Sequence, residues 1–156
     1  MADKGPVLIA YDGSDGAKHA IHEAAKVLGG GAAVVASVWQ STAAAAPASL
    51  LAIPTGVARQ AYEELDREAQ QQSEALAEEG ASIARELGFD AEPRPAVCHV
   101  NTWSTLLSVA DDVDAVAIVI GSRGHSGIKS ALLGSVSHGV ANHAHRPVLL
   151  VRAGGH

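Results

Sequence analysis

Val7-Leu8-Ile9-Ala10-Tyr11, closed by Asp12-Gly13-Ser14, decides how the rest of the chain is read. A short apolar run with no polar alternation is the mark of a strand buried on both faces, as in a parallel sheet covered by helices. The residues that follow change period. Ala17, Ala20, Ile21, Ala24, Ala25 and Leu28 recur at helical spacing, with Lys18, His19, His22, Glu23 and Lys26 on the opposite face. Ser14 reads as the N-cap and Gly29-Gly30-Gly31 as the stop. Ala32 to Val38 is again apolar, so the first 38 residues spell β-α-β.

The same alternation continues. Gln40 to Gly56 is Ala-rich, carries Pro47 and Pro54, and reads as a mobile loop. Val57 to Leu87 traces one helix through Ala58, Tyr62, Leu65, Ala69, Leu76, Ile83, Ala84 and Leu87. At about 1.5 Å per residue it outruns a small domain, so a bend or break is expected near Gly80. Ala91 to His99 contains Pro93 and Pro95, which cannot donate to a ladder and place this strand at a sheet edge. Thr102 to Ala110 is a short helix, and Ala115 to Ile120 the most apolar strand, expected at the centre. Gly121 to Leu133 reads as a loop with one helical turn, Ser135 to Ala144 as a helix, and Pro147 to Arg152 as the last strand. The order βαβαβαβαβ implies one α/β domain, a five-stranded parallel sheet with helices on both faces.

Composition narrows the function. The chain has 156 residues, 47 % of them apolar, and a formal net charge of −6. An acidic total argues against DNA or RNA as the main partner, since phosphate-backbone binding needs a dense positive surface. It leaves open a single nucleotide, which backbone N–H groups can hold. The one cysteine, Cys98, cannot form an internal disulfide and reads as a small buried apolar residue. No apolar stretch reaches the roughly 18 residues of a membrane span, and the start of the chain lacks signal-peptide anatomy, so a cytoplasmic protein is expected. His19 and His22 lie on the polar helix face without the partners a metal site needs, and no zinc spacing occurs. Trp39 and Trp103 read as packing residues.

Ligands of open parallel sheets bind at the carboxyl ends of the strands, where the strand order reverses. Two loops qualify. Tyr11-Asp12-Gly13-Ser14 follows the first strand; Gly121-Ser122-Arg123-Gly124, continuing to Gly134-Ser135-Val136-Ser137, follows the fourth. Gly121 and Gly124 let the backbone approach a ligand closely. Gly134-Ser135 opens a helix, so the N–H groups of Ser135, Val136 and Ser137 can face phosphate oxygens, with the two serine hydroxyls as further donors. Arg123 and Lys129 add local positive charge. Asp12 offers an acceptor for an adenine amino group or a ribose hydroxyl. The Walker A pattern fails because Ile128 precedes Lys129-Ser130, and GxGxxG is absent after the first strand.

Gly121-x2-Gly124-x9-Gly134-Ser135, with Leu8-Ile9-Ala10-Tyr11-Asp12-Gly13-Ser14 before it and Pro147-Val148-Leu149-Leu150-Val151 after it, resembles the universal stress protein family over essentially the whole chain. The resemblance implies strand order 3-2-1-4-5, a homodimer, and a site for ATP, AMP or cyclic AMP, with Mg²⁺ as a possible companion of ATP. Carried over, Ala10, Tyr11 and Asp12 would meet the adenine or ribose end, beside the main chain of Val38. Ile120, Gly121, Arg123 and Gly124 would line the ribose and phosphates. Gly134, Ser135, Val136 and Ser137 would hold the phosphates. His99-Val100-Asn101-Thr102-Trp103 stands where the family commonly has a glycine before the third helix, and the Gln40–Gly56 loop is no family signature; both concern the rim. The expected role is a non-catalytic, stress-linked nucleotide sensor. The alternatives are a slow ATPase or autophosphorylating protein, for which no dedicated base is evident, and an interaction protein with an empty site. The apolar last strand, Val148 to Val151, is expected to pair with a second copy.

Overall fold

Helical and extended periods alternate along the chain, and the computed structural model, which describes residues 4–42, 56–122 and 133–152, follows that alternation. The strands are β1 (Val7–Ala10), β2 (Gly31–Gln40), β3 (Phe89–Cys98), β4 (Ala117–Gly121) and β5 (Val148–Val151). The helices among the described residues are α1 (Asp15–Leu28), α2 (Gly56–Glu86), α3 (Thr102–Asp112) and α4 (Ser135–His143). The sheet runs β3-β2-β1-β4-β5, every pairing parallel.

Period-two alternation sorts the strand side chains between two cores. Val7, Ile9, Ala33, Val35 and Val119 face α1 and α2, where Ala17, Ala20, Ile21, Ala24, Ala81 and Ala84 pack on them. Leu8, Val34, Ala36, Ile118 and Ile120 face α3 and α4, meeting Leu106, Val109, Ala110 and Val140. Leu8, Ile9, Ile21 and Ile118 have no exposed surface. Burial of each such side chain is worth about 1.5–3 kcal/mol. The many alanines on the helix faces let those helices approach the sheet closely.

Several expectations change in detail. β4 is an interior strand, but β1 is the central one, because β2 and β4 both pair with it. α2 runs unbroken through Gly80. The glycine there answers a close approach: a Cβ would lie 2.7 Å from Val35 Cγ1 and 2.8 Å from Tyr11 Cγ. The first four turns of α2 bury no residue, and Leu65, read as part of the apolar stripe, is 49 % exposed. Burial begins at Ser73, whose hydroxyl donates to the Ser37 carbonyl at 2.7 Å. Leu28, at the end of α1, is also exposed. β3 carries its two prolines at the sheet edge, as expected. Most of the Gln40–Gly56 loop and of the Gly121–Leu133 loop lies outside the described residues. At the near end of the first, Asp66 of α2 accepts from Ser41 Oγ and from the Thr42 N–H, each at 2.6 Å.

Candidate functional site

β1 is followed by α1 and so by β2 on one side; β4 arrives on its other side, so the connections diverge between β1 and β4. A cleft of about 230 Å³ opens at the carboxyl ends of these strands. It is lined by Ala10, Tyr11, Asp12, Val38, Ile120, Gly121, Gly134, Ser135, Val136 and Ser137, all expected from the sequence. Arg123 and Gly124 lie outside the described residues. Ser14, from the first candidate loop, also lines the cleft; Ala17, Ala36, Thr102 and Leu106 complete the lining and were not assigned to the site. Thr102 and Leu106 stand one turn apart on α3, an i,i+4 pair that presents one face.

β2 outruns β1. Ala10 pairs with Ala36, and the Tyr11 N–H closes that ladder on the Ala36 carbonyl at 2.9 Å. Groups two residues apart on a strand point to the same side. The N–H and C=O of Val38 therefore face the space beyond the end of β1, which is the cleft. A donor and an acceptor stand side by side there, above the apolar surface of Ala36, Leu106 and Ile120.

The β1–α1 turn is braced by its own side chains. Asp12 Oδ1 accepts from the Ser14 N–H at 3.0 Å and from Ser14 Oγ at 2.5 Å. Ser14 Oγ in turn accepts from the Ala17 N–H at 3.1 Å, capping α1 as expected. Tyr11 contributes mainly backbone to the cleft. Its ring belongs to the core on the α1/α2 side, and its hydroxyl donates to Glu79 of α2 at 2.5 Å. Burial, followed by the hydrogen bond to Glu79, pushes the phenol well above its ordinary value of 10.0. The same hydrogen bond, with Lys18 3.6 Å away, holds the Glu79 carboxyl below its usual range.

The start of α4 is built differently. Gly134 is its N-cap and makes no side-chain cap bond. The first intrahelical bond runs from the His138 N–H to the Gly134 carbonyl at 2.9 Å. A helix leaves its leading N–H groups without intrahelical partners. Those of Ser135, Val136 and Ser137 have no backbone partner among the described residues, and all three residues line the cleft. This is the arrangement that favours an anion, by direct donation and by the helix dipole. One expected detail changes. The Ser137 hydroxyl points to the carbonyls of Ser122 and Gly134, at 3.1 and 3.0 Å, so its proton is engaged within the protein.

Elsewhere, Cys98 and Trp103 are packed as expected. Cys98 is buried. Trp103 packs edge-to-face with His143, ring centroids 4.3 Å apart, and closes over Gly139. No group of three or more metal-ligating side chains gathers among the described residues. No helix among them is long and apolar enough to cross a membrane.

A doubly wound parallel sheet with a cleft at its switch point, one wall apolar and one edge formed by an uncapped helix start, defines a class of small-molecule-binding α/β domains. Within that class the chain belongs to the universal stress protein family, whose model matches residues 5–152. It is 31 % identical over 146 residues to universal stress protein YxiE of Bacillus subtilis, covering 94 % of this chain and 97 % of that protein. It is 33 % identical over 157 residues to a universal stress protein encoded beside a sulfhydrylase gene in Thermus aquaticus, with the same coverage. Among solved structures, the hypothetical protein MJ0577 superposes with a TM-score of 0.77 at 19 % identity, covering 99 % of this chain and all of that one. A universal stress protein in complex with cAMP gives 0.64 at 24 % identity, covering 96 % and 98 %. One from Archaeoglobus fulgidus in complex with dAMP gives 0.59 at 24 %, covering 95 % and 98 %.

Proposed function

We propose that the cleft binds an adenine nucleotide and that the protein acts as a non-catalytic, stress-linked regulator. The observation that carries this reading is the pairing of two unlike ends in one cleft. The backbone donor and acceptor of Val38 suit the edge of adenine, which offers an amino donor next to a ring-nitrogen acceptor. The N–H groups of Ser135, Val136 and Ser137 suit a phosphate. The structural neighbours that hold cAMP and dAMP support the same choice of ligand class. ATP, AMP and cyclic AMP all fit this description, and Mg²⁺ would accompany ATP. Binding without turnover fits the only carboxylate that lines the cleft among the described residues: Asp12 is engaged by Ser14, at the β1 side.

Titration calorimetry with ATP, AMP and cyclic AMP tests the reading. One nucleotide per chain is expected to saturate, with no product above one equivalent after prolonged incubation with Mg²⁺. Absence of binding by all three would end it; steady product release would convert it to a slow ATPase.

The assembly we propose is a homodimer. Among the described residues β5 pairs only with β4, and Val148, Leu149 and Leu150 are incompletely buried along that edge. Light scattering is expected to give twice the chain mass, and a charged residue at Leu149 to give one. The buried lone thiol suits a reducing compartment, and we place the protein in the cytoplasm.

A further inference from the structure

Ser137 is 2 % exposed and sits inside the first turn of α4. Its Oγ lies 3.1 Å from the Ser122 carbonyl and 3.0 Å from the Gly134 carbonyl. A hydroxyl has one proton, and both acceptors within its reach among the described residues are backbone oxygens. The Ser122 carbonyl also takes the Gly134 N–H at 2.9 Å. On its other side, the Ser122 N–H donates to the Val151 carbonyl of β5 at 2.8 Å. Ser122 follows β4 directly. So the end of β4 is tied at once to β5 and to the start of α4, and Ser137 supplies one of the ties.

The consequence is geometric. Three N–H groups bind one anion well only if the helix start is held at a fixed angle to the sheet, within about 0.5 Å of the productive position. An N-cap side chain would do this for an ordinary helix, but it would consume a leading N–H group, and Gly134 has none. Ser137 fixes the same turn from inside, with its one proton held between two carbonyls, and takes none of the leading N–H groups. We infer that Ser137 is a positioning residue: its hydroxyl locks the start of α4 onto the end of β4 and gives no hydrogen bond to the phosphate. The inference deepens the nucleotide-binding reading and rests on it for the identity of the anion.

The test compares Ser137→Ala, Ser137→Thr and the unaltered chain in two measurements. The first is amide hydrogen exchange at Gly134 and His138 without nucleotide. The lock predicts exchange about tenfold faster in Ser137→Ala and near normal in Ser137→Thr, whose hydroxyl can reach the same two carbonyls of Ser122 and Gly134. The second is affinity for AMP against adenosine. Ser137→Ala is expected to weaken AMP about tenfold and adenosine less than twofold, with AMP affinity restored in Ser137→Thr. AMP affinity lost with exchange unchanged would make the hydroxyl a direct ligand and overturn the inference. Faster exchange with AMP affinity intact would also overturn it, because the lock would then serve the fold alone. If the unaltered chain binds no nucleotide, the functional reading fails, and the exchange measurement alone then decides whether the lock exists. Should Ser137→Ala not fold, Ser137→Cys, which keeps a side chain of similar size but a weaker donor, reads the same two quantities.

Discussion

Two helices begin at the cleft, and they begin in opposite ways. At α1, Ser14 caps the first turn by accepting from the Ala17 N–H, and Asp12 braces Ser14 by accepting from its N–H and hydroxyl. At α4, the capping position is a glycine without a side chain, and the leading N–H groups have no backbone partner among the described residues. Both helices follow strands of the same sheet and both dipoles point the same way relative to it, so direction does not distinguish them. The difference lies in which groups are already satisfied. A phosphate gains most where it replaces water on unpaired donors, so the proposed nucleotide would set its phosphate at α4 and its uncharged part toward the α1 end.

Filling the open start is the harshest way to break this contrast. A Cβ at Gly134 would lie 3.4 Å from the Ser122 carbonyl and 3.6 Å from Ser137 Oγ, ordinary contacts, and its φ of −62° suits any residue. The fold therefore does not demand glycine there. Gly134→Val is expected to keep its circular dichroism spectrum and to lose roughly 100-fold or more in ATP affinity, about 2.7 kcal/mol. Calorimetry showing unchanged affinity would remove the phosphate from α4.

A gentler substitution converts one helix start into the other. Gly134→Ser gives α4 a cap of the kind Ser14 gives α1, able to accept from the Ser137 N–H. Its effect on stability is expected to be within a few tenths of a kcal/mol, since glycine and serine are both good caps. Its effect on binding is expected to be about tenfold weaker ATP affinity, because one donor of the three is now taken, the loss of a hydrogen bond to a charged group. A variant bound as tightly as the unaltered chain would show that the open start is incidental.

The contrast also shows what a sequence can disclose. The parallel sheet, its edge strand and the place of the cleft were legible, because unbroken apolar runs, helical spacing and the edge-seeking prolines Pro93 and Pro95 each point one way, whereas the full strand order came only with the family resemblance. The glycine before Ser135 was legible for the same reason. The fate of individual polar groups was not. Ser137 looked like one more donor, and only the position of the Ser122 carbonyl shows where its proton goes. Tyr11 sits between two cleft residues in sequence, yet strand alternation sends its ring to the other core, and both faces of β1 are apolar, so the run itself carried no sign. Gly80 was read as a place to bend or break; the helix does not break there, and the glycine makes room for Val35 and Tyr11, since helical spacing does not reveal what presses on a helix. Thr102 and Leu106 were missed because α3 reaches the cleft by crossing the sheet, a long-range fact.

The closed start yields a smaller effect. Ser14→Ala removes the α1 cap, with an expected cost of about 1 kcal/mol of stability in urea unfolding. ATP affinity is expected to stay within about threefold, as Ser14 is turned to the protein and not to the phosphate. A larger loss of affinity would mean that the β1–α1 turn, and not only α4, grips the charged end.

Tyr11→Phe probes the far side of the same turn and gives the smallest effect at neutral pH, under about 1 kcal/mol for one partly exposed hydrogen bond. Its signature is in the pH dependence. The Tyr11 phenol is raised above 10.0 in the folded chain, so its contribution is complete below pH 10 and is lost as pH climbs through the folded value. Glu79 is lowered below 4.5, so its contribution is complete above that pH and is lost as pH falls through the folded value. Removing the phenol abolishes the first effect and weakens the second. Urea midpoints measured from pH 3 to pH 11 are expected to fall less steeply at both ends in Tyr11→Phe than in the unaltered chain. Parallel curves would mean that the Tyr11–Glu79 bond does not join the cleft turn to α2 in solution, and that the closed start stands on Asp12 and Ser14 alone.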